Sequence, residues 1–335
     1  MEFPSVFFYN KVMKNNISLT ISSIGHFLVD FSCAYVVLSR LHESTSAVQI
    51  LIIYNFLAFA MQMPFGMIAD AYPHIKWSIL GTLLVFASLF PFPLILSVLL
   101  IGTGNSLYHL GEGKPILDHL KGSSALGIFV APGAYGITLG TILAYQESSL
   151  ILPLGFALIL LCLLLLKVDY EGEPDPPVKN SSPLLISALF IVVIIRSFAG
   201  FSWSLPWKGD HLILMTTAVV FGKALGGIFA DTFGSKTTAM LSLVFSFVCF
   251  IRRDIMLLGL LSVFFFNMTM PICLIEITLE MKNASGFAFG LLTFALFLGY
   301  IPSVLGITTV SVSTTLVLIA ISFLMMCLLR GSRHD

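Results

Sequence analysis

Stretches of about 20 apolar residues recur along this chain, and they limit its fold more than any other feature. Residues 149–167 (SLILPLGFALILLCLLLLK) and 183–204 (PLLISALFIVVIIRSFAGFSWS) are two of them. One helix needs roughly 17–25 apolar residues to cross a bilayer core. Only 10% of the 335 residues are charged, and 57% are hydrophobic. Soluble domains carry about 25% charged residues. A water-soluble core cannot hide this much apolar surface, so the chain reads as an all-α integral membrane protein.

The pattern predicts twelve transmembrane helices. The first six are 17–39, 47–69, 76–90, 93–115, 124–145 and 149–167. The second six are 183–204, 210–230, 236–251, 254–276, 285–306 and 309–330. A proline break (FPFP, 90–93) ends the short third segment. The longest polar gap, KVDYEGEPDPPVKNSS at 167–182, holds three prolines and four acids and reads as a linker. It divides the chain into a bundle at 1–167, a linker at 168–182 and a bundle at 183–335.

Loop charge sets the expected orientation. Eleven of the 17 Lys and Arg residues fall on the side of the N-terminus, four fall on the other, and Arg196 and Lys223 fall inside spans. Both termini are therefore expected in the cytoplasm, in a plasma (inner) membrane. Residues 1–16 lack the long apolar region and cleavage site of a signal peptide. The five cysteines sit apart in apolar runs with no CxxC and read as small hydrophobes. Zero net charge gives no support to a nucleic-acid partner. No Walker-type motif appears, which speaks against ATP drive. No cofactor is implied, and a monomer is expected.

The halves repeat. GMIAD (66–70) ends the second helix, and GIFAD (227–231) ends the eighth, 161 residues later. A parallel six-helix repeat is a known transporter plan, with the substrate site between the halves. These residues resemble the cytoplasmic signature of the major facilitator superfamily. GIFADTFGSK keeps Gly227, Ala230, Asp231, Gly234 and Lys236, with Thr232 where the family has a basic residue. GMIADAYPHIK keeps Gly66, Ala69, Asp70 and Lys76, with Ala71 and Pro73 in place of the basic residue and second glycine. The resemblance implies the major facilitator fold. It also implies that Asp70 and Asp231 act as latches, accepting hydrogen bonds at a helix end in the outward-open state. GIFVAPGAYGITLG (127–140) resembles the helix-5 signature of the family's antiporters through Gly127, Pro132, Gly136 and Gly140. Close packing through small residues explains the same stretch.

Ionisable groups inside a membrane are costly and mark pathways or proton relays. His26 and Asp30 lie four apart on one face of helix 1. Asn105, His109 and Glu112 fall within about 60° of one another on helix 4. Arg196 stands near mid-depth in helix 7. Lys223 lies on helix 8, opposite Gln62 in the repeat, and Asn267 nearly repeats Asn105. Lys114 is expected to reach headgroups, Glu276 and Glu280 to be interfacial, and Trp203 and Trp207 to be belt residues. Acids and imidazoles thus gather in the first half and cations in the second. Asp30 or Glu112 could pair with Arg196 or Lys223 across the interface. Alternatively the cations could bind an anionic solute while an acid carries a proton.

The expected function is secondary transport of a small polar or anionic solute by alternating access, proton-coupled and of antiporter type. One alternative is a divalent metal carrier using His26, Asp30, His109 and Glu112. Others are a membrane-embedded acid–base enzyme and a receptor.

Overall fold

In the computed structural model, residues 4–41, 46–146, 149–177, 180–281 and 283–330 are described, with side chains from Asn10 onward. Every regular element among them is helical. Eight helices are long and apolar enough to cross a membrane: α1 (Pro4–Leu41), α2 (Ala47–Ala71), α4 (Leu94–His119), α5 (Ser124–Tyr145), α7 (Pro183–Ser202), α8 (Leu212–Phe233), α10 (Met256–Glu280) and α11 (Ser285–Val304). Shorter apolar helices stand third, sixth, ninth and twelfth in order: α3 (Trp77–Ala87), α6 (Ile151–Leu165), α9 (Ser235–Ile251) and α12 (Val312–Met326). The chain is an integral, multi-pass membrane protein.

Three helices outrun their expected bounds. The helix α1 starts at Pro4, not 17, and its polar turn (Asn10 to Asn16) continues past the apolar run. The helices α4 and α10 run on to His119 and Glu280. Apolar length locates a span, but backbone hydrogen bonding continues wherever tertiary partners hold the extra turns. Breaks fall at informative places. The helix α5 is interrupted before Pro132, which has no N–H to give. The helix α2 carries a π-helical turn at Phe56–Ala60, between Asn55 and Gln62, and α10 is interrupted at Met268.

Packing repeats with an offset of six helices. The helix α1 lies along α5 as α7 lies along α11. The helix α3 touches α4 and α6 as α9 touches α10 and α12. The main contacts between the halves are α2 with α11 and α8 with α5, and α4 with α11 and α5 with α10 add to them. The motif glycines make these crossings. A Cβ on Gly66 would fall on the carbonyl of Gly286, and one on Gly227 would fall on the carbonyl of Ser123. Gly234 is needed for a different reason: its φ of 88° sets the turn between α8 and α9.

The linker contains no helix among its described residues, yet it is tied down. Lys14 on α1 reaches Asp169 (2.7 Å) and Glu171 (2.5 Å). Asn15 exchanges hydrogen bonds with the backbone of Glu171 (2.8 and 2.9 Å). The Tyr170 side chain is buried, with its hydroxyl 2.8 Å from Ser22 Oγ. The hydrogen bond from Lys14 holds the Asp169 carboxyl below its ordinary 3.8. A lowered carboxyl favours the folded chain above its ordinary value, and this contribution fades as pH falls through the lowered one. The pair is exposed, so it contributes less than about 1 kcal/mol.

Valine at Gly66 or Gly227 overpacks a crossing, which typically costs about 1–3 kcal/mol. Each variant is expected to melt several degrees lower in detergent. Gly200→Ala, where no atom lies within 4 Å of the added carbon, should melt as wild type. Unchanged melting of Gly66→Val would contradict the close crossing.

Candidate functional site

The centre of the molecule holds a cavity of about 320 Å³. Its walls are mostly apolar with a few polar and charged side chains, as in many binding sites. The first half contributes His26 and Asp30 from α1, Asn55, Phe59 and Gln62 from α2, and His109 from α4. The second contributes Arg196 and Trp203 from α7, Lys223 from α8, Asn267 from α10, and Phe289 and Tyr300 from α11. Its wall reaches Phe201, Trp203 and Met215, at the helix ends far from Asp70 and Asp231.

On the first-half wall, Asp30 is the hub. His26 Nε2 lies 3.3 Å from Oδ2 of Asp30, and His109 Nε2 lies 3.4 Å from Oδ1. Asn105 donates to Oδ1 at 3.0 Å and to Cys33 Sγ at 3.4 Å. The imidazole rings meet edge to face, 4.2 Å between centroids. Three glycines on α5 allow this. Gly136 and Gly140 lie against the carbonyls of Phe27 and Phe31 on α1, and a Cβ on Gly133 would strike His26 and Asp30 themselves. Gly127 packs against the backbone of α8. The small-residue stretch 127–140 is therefore a packing surface.

On the facing wall, Arg196 donates from Nη2 to Asn267 Oδ1 at 2.5 Å, while its buried Nε has no partner. Lys223 donates to the backbone carbonyl of Val130 at 3.2 Å. Among the described residues, neither cation has a carboxylate within salt-bridge reach. An acid–cation pair across the interface therefore does not form in this state. Asp30 is taken by its own half.

Glu112 does not line the cavity. It shares a face with Asn105 and His109 but lies about 10 Å along the axis from Asn105. There it accepts from Ser22 on α1, under Tyr170 of the linker. Of the polar residues expected on α4, only Asn105 and His109 join Asp30. Trp203 and Trp207 are not belt residues. Trp203 is 3% exposed, packs on Phe250 and Phe266 and lines the cavity, with its Nε1 unpartnered. Trp207 donates to the carbonyl of Arg253 (2.9 Å). The spacing of seven between Arg196 and Trp203, two helical turns, was the signal for a shared face. Phe59, Phe289 and Tyr300 left no mark in an apolar sequence.

At the opposite end, two carboxylates cap two helices. Asp70 accepts from the N–H groups of Gly286 and Phe287 (2.9 Å each), at the start of α11. Asp231 accepts from Ser123 and Ser124 (2.6 and 2.8 Å), at the start of α5. Both bonds cross between halves, and both place negative charge on the positive end of a helix dipole. Lys114 is not a headgroup anchor: it lies 3.5 Å from Asp70 and pairs with Asp118. Glu280 is not interfacial either. Its side chain is 1% exposed, 3.3 Å from Arg330, and it accepts from Ser182 N at 2.6 Å. Lys236 makes no ion pair among the described residues.

The chain is an all-helical membrane protein whose packing repeats, with a cavity between the halves and a carboxylate of each half capping a helix of the other. The comparisons specify the fold. No family model matches the sequence, and neither does any curated protein. Solved structures do match. The human organic anion transporter MFSD10 superposes with a TM-score of 0.65 at 16% identity, covering 93% of this chain and 99% of that one. An alanine variant of the E. coli fucose:proton symporter FucP gives 0.63 at 11% identity, covering 93% and 98%. FucP in its outward conformation gives 0.59 at 12%, covering 92% and 99%. The chain has the major facilitator fold.

Removing the latch charges should loosen that end. Asp70→Asn with Asp231→Asn is expected to speed maleimide labelling of a cysteine placed at Thr278, which lines the space beside Asp70. Equal labelling rates with and without the two substitutions would show that the caps do not hold this end shut.

Proposed function

We propose that this chain is a secondary active transporter for a small organic anion, driven by protons. Twelve crossings form two six-helix bundles, 1–167 and 183–335, joined by 168–182, with both termini cytoplasmic. The bundles rock about the cavity. One observation carries the reading: Arg196 and Lys223 face the cavity with no carboxylate of the described residues in salt-bridge reach. A buried cation is costly to leave alone, and guanidinium is never deprotonated. An anion entering the cavity supplies the missing charge. The MFSD10 structure is that of an organic anion transporter and FucP that of a proton symporter, which supports the class on grounds of fold. The three structures named above are transporters, which weighs against the enzyme reading.

The proton belongs on Asp30 and its histidines. Nδ1 of His109 lies 2.8 Å from the carbonyl oxygen of Asn105. That oxygen only accepts, so Nδ1 carries the hydrogen. Nε2 of the neutral ring is then bare and faces a carboxylate oxygen. A proton between them turns repulsion into an ion pair. Asp30 shares the cavity with Lys223, so an anion arriving at Lys223 changes the field at the proton site. That shared field couples the two loads. The state described here is closed by Asp70 and Asp231 at the end assigned to the cytoplasm, so its cavity serves the outer face.

Binding raises melting temperature by mass action, about 2.7 kcal/mol at a hundredfold excess over Kd. A panel of mono- and dicarboxylates and phosphate esters should contain one that stabilises wild type. Arg196→Gln and Lys223→Gln should each abolish the shift. In sealed vesicles, Asp30→Asn should retain exchange but lose gradient-driven accumulation. Wild-type shifts in both cation variants would sink the anion reading. Wild-type accumulation by Asp30→Asn would sink the coupling role.

A further inference from the structure

A proton is not the only positive charge that the Asp30 cluster fits. The bare Nε2 of His109, the Nε2 of His26 and an oxygen of Asp30 all lie within 4.8 Å of one another. The nitrogens stand 3.4 and 3.3 Å from the carboxylate. Ligand atoms about 2.1 Å from a tetrahedral Zn²⁺ are separated by roughly 3.4 Å. Neutral imidazole with carboxylate is a donor set for divalent transition metals.

The surroundings suit an ion as well as the donors do. His109 Nδ1 donates to a backbone carbonyl, the usual outer contact of a metal-binding histidine. Asn105 orients the carboxylate from behind. Among the described residues the buried Nδ1 of His26 has no hydrogen-bond partner, and its Nε2 faces Asp30 at 3.3 Å, so the ring turns that nitrogen toward the carboxylate. Gly133 leaves open the edge between His26 and Asp30, where a Cβ would fall. The triad opens on the cavity, which leaves a coordination position for water or solute. Glu112, bound to Ser22, stands outside the set.

We infer that His26, Asp30 and His109 form a binding site for a divalent transition-metal ion within the central cavity. The ion occupies the position of the proton, so the two exclude each other. The site uses first-half residues alone and does not depend on an anion being the solute. Lys223 shares the cavity, and its charge reaches Asp30. It therefore opposes a bare dication, which fixes the sign of one test.

Tag-free, metal-free protein in detergent is titrated with Co²⁺ at neutral pH and followed by its visible ligand-field absorption. One ion per chain is expected. His109→Ala and Asp30→Asn should each weaken binding at least about tenfold, in the range seen when metal-site contacts are lost. Gly133→Ala, which keeps every ligand but fills the open edge, should weaken it too. Lys223→Gln should tighten it severalfold, and Glu112→Gln should leave it unchanged. Melting curves confirm that each variant is folded. No ligand-field band in wild type, or wild-type affinity in folded His109→Ala, overturns the inference. Either result leaves the anion reading standing, because that reading is tested by carboxylate and phosphate-ester shifts at Arg196 and Lys223.

Discussion

A charge cannot be left alone in hydrocarbon, and the central seam of this protein is arranged around that constraint. Taking a carboxylate or ammonium out of water costs several kcal/mol even after relaxation. Asp30 and Arg196 are buried, Lys223 is partly buried, and all three face one cavity. The first half satisfies its own acid with two imidazoles and an amide. Among the described residues, Arg196 has only the neutral oxygen of Asn267 from its own half, and Lys223 has only the Val130 carbonyl, which α5 of the first half supplies. The asymmetry makes one wall self-sufficient and leaves the other short of negative charge.

The same constraint operates at the end that carries Asp70 and Asp231, with a different solution. Asp70 and Asp231 meet their charge with backbone N–H groups of a helix in the opposite half. Backbone donors are fixed in number and direction, so the bond forms only when two helices cross closely. Gly66 and Gly227 permit that approach. Lys114 adds a cation beside Asp70, and Ser124 adds a hydroxyl beside Asp231. Each half thus holds the other by the end of a helix, and separation must break both sets together. The linker, bonded to α1 and carrying Asp175 against the N–H of Gly122, crosses the same region.

The repeat signal was legible because it is local. Gly66, Asp70, Gly227 and Asp231 stand where the pattern placed them. The first copy lacks the second glycine of the second copy, yet its carboxylate still caps a helix. The carboxylate needs only two donors, and α11 supplies them whatever follows Asp70. Along α4, helical periodicity correctly put Asn105 and His109 on one face. It could not say that Glu112, on that same face, meets Ser22 and Tyr170 instead of the cavity. Periodicity fixes an angle about one axis. Which neighbour crosses at which height is set by other helices.

By itself the sequence determined the membrane solvent, the helix positions, the six-helix offset and the short list of polar residues that hydrocarbon would not tolerate without a reason. Those follow from apolar length and from residue chemistry, both readable within a few turns of chain. Tertiary structure alone decided the partners: both histidines on Asp30, Lys114 on Asp70, Trp203 in the cavity wall and, among the described residues, an amide rather than an acid for Arg196. Partner choice depends on crossing heights and close approaches between segments tens to hundreds of residues apart, and no local pattern encodes those distances.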